Sequence, residues 1–127
     1  MKNKKFTIRI NKPVSEVFAF TLNPQNTPKW IESIVQEEVN EYPTKQGTKY
    51  RNQNKEGKWS EYIVTEFEKD KMFTWIKDDK SYFVRYSFTP TDDNSTELEY
   101  EWPDKGKVDK SFIQEILDKL KHVLEKE

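Results

Sequence analysis

Residues 108–126 read VDKSFIQEILDKLKHVLEK, and their spacing decides how the rest of the chain must be arranged. Apolar side chains fall at Phe112, Ile113, Ile116, Leu117, Leu120, Val123 and Leu124. Steps of three and four residues place them on one stripe of an α-helix, with charges behind it. No helix lies nearby in sequence to cover that stripe. Residues 35–102 read instead as a succession of strands. A long helix laid against a curved antiparallel sheet satisfies both segments, with any function in the space between them. The lengths agree: a helix of about 19 residues spans ~28 Å, and strands of about seven or eight residues span ~25 Å.

The 127 residues suit one domain, 1–127, with room for a core. Charged residues are 35% and aromatics 14%, including four Trp and eight Phe, so a few large rings must build that core. Twenty-two basic against 23 acidic residues leave a net charge of −1, which gives no field to draw in nucleic acid or an anionic membrane. Lys2, Lys4 and Lys5 read as a short solvated terminus. The absence of cysteine excludes disulfides, thiolate metal sites and a Cys nucleophile, and fits a reducing compartment. No apolar run has signal length or approaches the roughly 20 residues needed to span a bilayer. The expected location is cytoplasmic.

In chain order, residues 4–10 alternate, with Phe6, Ile8 and Ile10 on one face, as in a half-buried strand. Asn11 or Lys12 is a cap and Pro13 the first turn of a short helix over 14–22. Asn23-Pro24 ends it. Thr27 then caps, and Pro28 begins, a second short helix that carries Trp30. Two helices so joined form a V able to prop one end of the long one. Six strands follow. The first covers 35–42, with Glu37, Glu38 and Glu41 on a wet face. The others cover 48–53, 58–68, 72–77, 81–89 and 96–102. Tight turns at 43–47, 54–57, 69–71 and 78–80 and a polar loop at 90–95 make the six a meander. Residues 58–68 carry conflicting apolar faces, which a β-bulge or burial on both sides would reconcile.

The order of elements and several local phrases resemble the START-related superfamily, also called SRPBCC, which includes the birch-pollen allergens. The nearest likeness is to its bacterial polyketide cyclase/dehydrase-like branch. Residues 12–20, KPVSEVFAF, are similar to the start of that family's first helix. Asn23-Pro24 followed by Lys29-Trp30 resembles its helix-turn-helix ending in Trp. Gly47-Thr48-Lys49-Tyr50 resembles the glycine that opens its third strand. Residues 62–68 with Phe73-Thr74-Trp75 resemble its fourth and fifth strands, and 86–90 with 95–98 its last hairpin. The resemblance implies a helix-grip α+β fold: a seven-stranded antiparallel sheet wrapped around a long C-terminal helix, with two short helices between strands 1 and 2. It also implies an internal cavity for an apolar small molecule. The chain departs from the pattern in the short link at 103–107, which suggests a smaller cavity or a tighter mouth.

Tyr50, Tyr82, Tyr86 and Tyr100 fall on strand faces that alternation turns inward. Buried tyrosines need partners for their hydroxyls. A lining of rings and a few hydroxyls suits an amphiphilic or aromatic ligand, although the same rings can simply fill the core. With Trp30 and the helix face at Phe112, Ile116 and Leu120, they are the candidate ligand-binding residues. No catalytic residue is assigned. His122, the only histidine, falls on the charged side of the helix, so neither a zinc site nor a serine-hydrolase triad is expected. Glu37 and Glu38 point opposite ways, and Asp78-Asp79 and Asp92-Asp93 sit in turns. Gly47, Gly57 and Gly106 are isolated turn residues. The expectation is a monomer or weak homodimer that binds a small hydrophobic or amphiphilic molecule, lipid- or polyketide-like, with no cofactor, metal or nucleic acid. Two alternatives stand beside it: a cyclase/dehydrase-type enzyme without metal, and a protein-interaction module using Trp59 and Phe83.

Overall fold

The structure, a computed structural model, describes residues 3–91, 94–104 and 108–126. Lys2, the Asp92-Asp93 turn, Gly106 and most of the link ahead of the last helix lie outside these residues. The order is β1 (Asn3–Ile10), α1 (Val14–Leu22), α2 (Thr27–Trp30), β2 (Ile34–Val39), β3 (Lys49–Asn54), β4 (Trp59–Glu68), β5 (Met72–Lys77), β6 (Phe83–Thr91), β7 (Ser95–Pro103) and α3 (Lys110–Glu125). Strands β2 to β7 form a meander, and β1 adds antiparallel to β7, so one sheet runs β1-β7-β6-β5-β4-β3-β2. With α3 packed on it and α1 and α2 joining its edges, this is a helix-grip α+β fold.

Alternation explains the inner face. Phe73 and Trp75 on β5, Val84, Tyr86 and Phe88 on β6, and Leu98, Tyr100 and Trp102 on β7 are all buried. The conflicting faces of β4 are resolved by a bulge, because the register against β5 slips between Val64 and Glu66. Tyr62 and Val64 face inward before the slip. Phe67 does so after it, where its ring meets Phe18 edge-on at 5.6 Å. One extra residue exchanges the two faces, which a strict two-residue period cannot show.

Several local expectations are corrected. Strand β1 starts at Asn3, one residue earlier than read, and its solvated Lys4 and Lys5 face Asp104 and Glu99 at 3.8 Å each. Pro13 itself is the N-cap of α1, without a side-chain cap. Thr27 lies inside α2 after Asn26, and its hydroxyl is used elsewhere. Strand β2 ends at Val39, three residues short of the reading. Pro90 continues β6, opposite Thr96. Trp59 and Phe83 do not form a shared patch. Phe83 lines up across the outer face with Ile76 and Ile63, whereas Trp59 lies four residues along β4 under the Arg51 guanidinium, 4.3 Å from the ring centroid.

Helix α3 sits where its stripe requires. Ile113, Ile116, Leu117, Leu120 and Leu124 are buried. Asp109 caps it by accepting from the Phe112 N–H at 2.9 Å. Its far end is tied to β1 and the turn after it: Lys121 Nζ donates to the Arg9 carbonyl at 2.7 Å, and Glu125 accepts the Asn11 N–H at 2.8 Å. Lys119 meets Glu32, just after α2, at 2.8 Å.

Candidate functional site

The interior is divided along the length of α3. One part is filled by phenylalanines: Phe18 of α1 meets Phe67, Phe73 and Phe88 edge-on at 5.1–5.8 Å. The other part is a cavity of about 410 Å³ between the sheet and the first two turns of α3. Its sheet wall carries Tyr62, Trp75, Tyr82, Tyr86 and Tyr100, and Phe112 and Ile116 of α3 border it opposite. Phe112 is 42% exposed and stands at the rim.

Five of the eight side chains singled out from the sequence therefore border the cavity: Tyr82, Tyr86, Tyr100, Phe112 and Ile116. Three do not. Leu120 is fully buried one turn beyond Ile116, within the packed part of the core. Trp30 is 1% exposed, with its ring edge-on to Tyr86 at 6.5 Å, behind the cavity wall. Tyr50 stacks on Trp75 at 4.9 Å and is spent on structure. Its hydroxyl donates to the Leu22 carbonyl at 2.7 Å and accepts from Thr44 at 2.5 Å, which ties β3 to the end of α1.

The tyrosine hydroxyls form a polar line in an apolar space. Tyr100 interacts by hydrogen bonding with both Tyr82 and Tyr86. Burial pushes all of them up, Tyr82 to about 12 and Tyr86 and Tyr100 further, so each remains a neutral donor at physiological pH. The indole Nε1 of Trp75 has no acceptor among the described residues.

Besides Tyr62 and Trp75 of the sheet wall, sequence reading missed two charged residues at the site. The first is Glu37, expected on a wet face but buried. Its Oε1 accepts from the Thr27 hydroxyl at 2.6 Å and its Oε2 from Asn52 Nδ2 at 3.3 Å. Burial pushes its carboxyl up to about 7, against the pull of those two donors. Asn52 borders the cavity, so Glu37 stands directly behind the lining. Pairing across β2–β3 puts Glu37 opposite Asn52, on the same face as inward Tyr50, but the adjacent pair Glu37-Glu38, with Glu41 beyond, disguised that parity. The second is Lys77, the last residue of β5, inward by the same alternation as Phe73 and Trp75. Among the described residues it is the one charged side chain on the cavity wall, and no carboxylate or histidine joins it there. His122 is exposed, as its place on the helix implied. No group of three or more His, Cys, Asp or Glu suited to a metal occurs among the described residues. No helix among them is long and apolar enough to cross a membrane.

A second depression, of about 290 Å³, lies over β2–β3. Its Arg51 is already paired with Glu38 at 2.6 Å, so its charge is locally satisfied.

The fold recurs in solved structures of low sequence identity. Protein MLL2253 from Mesorhizobium loti is 15% identical, with a TM-score of 0.78 over 98% of both chains. XoxI from Bacillus cereus is 13% identical, with a TM-score of 0.76 over 98% of this chain and 96% of that one. The Aha1 dimer from Colwellia psychrerythraea is 14% identical, with a TM-score of 0.73 over 98% of this chain and 97% of that one. No functionally curated protein matches the sequence. The family model described as polyketide cyclase/dehydrase and lipid transport matches residues 4–125. From the curled sheet to the helix it grips, the chain belongs to the polyketide cyclase/dehydrase and lipid transport family of the START-related superfamily.

Proposed function

We propose that this protein binds a small hydrophobic or amphiphilic molecule in the cavity beneath the first turns of α3. The observation that carries the reading is the cavity itself: about 410 Å³, within the usual range of ligand sites, walled by rings with hydroxyls at their edges. A core built only for stability would close such a space, since each unfilled void costs packing energy. Family membership supports the same reading.

An enzyme of the cyclase/dehydrase kind is the second reading, and Glu37 favours it, because a carboxyl that titrates near neutrality suits proton transfer. Against it, both Glu37 oxygens are taken by Thr27 and Asn52, and the described lining presents tyrosines and one lysine without a facing carboxylate. Binding is therefore the better-supported activity.

The test is native mass spectrometry of the protein purified from its own host, comparing wild type with Ile116→Trp, which fills the cavity. Wild type should carry a small-molecule adduct that is released on denaturation, and the variant should lack it. A clean wild-type spectrum, together with no thermal shift from fatty acids, sterols or polycyclic aromatics, would sink the reading.

A further inference from the structure

Three side chains at one end of the cavity form a row. Tyr62 on β4 is the register partner of Lys77 on β5, and the Lys77 N–H donates to the carbonyl of Tyr82, the residue just before β6, at 2.9 Å. All three point inward onto the same wall. Adjacent positions on neighbouring strands lie about 5 Å apart, so the three side chains leave the sheet next to one another, with the lysine in the middle. Lys77 makes no ion pair with the described residues. Asp79, the nearby carboxylate that feels its charge, accepts at Oδ1 from the Ser81 N–H at 2.9 Å and the Ser81 hydroxyl at 2.6 Å and makes no ion pair with Lys77.

A lysine turned toward an apolar space loses hydration, which is tolerated when a counter-charge can join it. On the reading that the cavity holds a small molecule, we propose that the ligand is a monocarboxylic acid with an apolar body. Its carboxylate is held by Lys77 between Tyr62 and Tyr82, and its body lies under Phe112 and Ile116. One cation matches one negative charge. Two phenols, kept protonated by burial, supply the remaining donors to a two-oxygen head. At about 410 Å³ the cavity lies toward the small end of ligand sites, which suits a medium-chain or aromatic acid.

The experiment titrates decanoate, decanol, decylamine and decyl phosphate into wild type, Lys77→Met and Lys77→Glu by calorimetry, with melting curves to show that each variant is folded. Lys80→Met, in the same hairpin but on an exposed residue, is the control. In wild type, decanoate should bind about tenfold or more tighter than decanol, the effect of one charge-assisted contact. Lys77→Met should abolish the preference, so that decanoate and decanol bind the variant alike. Lys77→Glu should invert the preference towards decylamine, a gain that misfolding cannot produce. Equal affinities of wild type for decanoate and decanol would overturn the carboxylate assignment and leave the cavity reading standing. Tighter binding of decyl phosphate than of decanoate would also overturn it. Failure of all four probes in wild type would overturn both.

Discussion

Glu37 carries the most informative chemistry in the molecule. Its carboxyl titrates near 7 in the folded protein against an ordinary value of 4.5. The folded state therefore holds its proton more tightly than the unfolded chain does. Between pH 4.5 and about 7 the unfolded state loses that proton first, so stability falls as pH rises through this window, by on the order of 3 kcal/mol. Glu37→Gln keeps an oxygen to accept from Thr27 and removes the titration. Denaturation at a series of pH values should show the slope in wild type and its loss in the variant, and parallel profiles would contradict it. Trp30 is a different case. It is 1% exposed, carries no role in the cavity lining, and packs edge-on against Tyr86. Trp30→Ala should cost about 3–5 kcal/mol of stability in urea titrations. A loss below ~1 kcal/mol would mean that the ring is not the anchor between α2 and the sheet.

At the level of elements, α3 serves two ends at once. Leu117, Leu120 and Leu124 seal the core, while Phe112 and Ile116, one or two turns earlier, cover a cavity. The helix start is thus the part that controls access, and Asp109 holds it. Its carboxylate accepts from the Phe112 N–H and from the Ser111 hydroxyl at 2.7 Å, which together hold its carboxyl below the ordinary value of 3.8. The capping contribution is present above that value and is lost as pH falls below it. Asp109→Ala should lower the melting temperature at pH 7, and by progressively less as pH falls below 3.8. Amide exchange should speed up at Phe112 and its neighbours before it does so at Leu120. Equal changes along the whole helix would show that the first turn is not an independently opening segment.

For the whole molecule, the division into a phenylalanine-filled part and a tyrosine-lined cavity predicts a specific ligand response. A molecule that binds only the folded state at one hundred times its Kd should stabilise the protein by about 2.7 kcal/mol. The melting temperature should rise with ligand concentration for wild type and stay flat for Ile116→Trp. An equal rise in both would place binding elsewhere on the protein.

Periodicity alone located the helix over 108–126, the alternating strands and the inward turn of Tyr82, Tyr86 and Tyr100, because the periods of helix and strand are set by local backbone geometry. The same logic set Trp59, Ile63 and Phe67 against Tyr62 and Val64 in β4 and left a bulge or burial of both faces open; the register slip between Val64 and Glu66 decides for the bulge. It misread Glu37 and passed over Lys77, because a charged side chain is assigned to solvent unless its neighbours across the sheet are known. Tyr50 and Leu120 show the converse limit: an inward face is legible, but whether a wall is empty or occupied opposite it is not. The amino-acid sequence by itself determined which apolar residues of α3 and of the regularly alternating strands face the interior. Only the tertiary structure decided which of them meet packing partners and which meet a cavity, since that depends on distances between segments far apart in the chain.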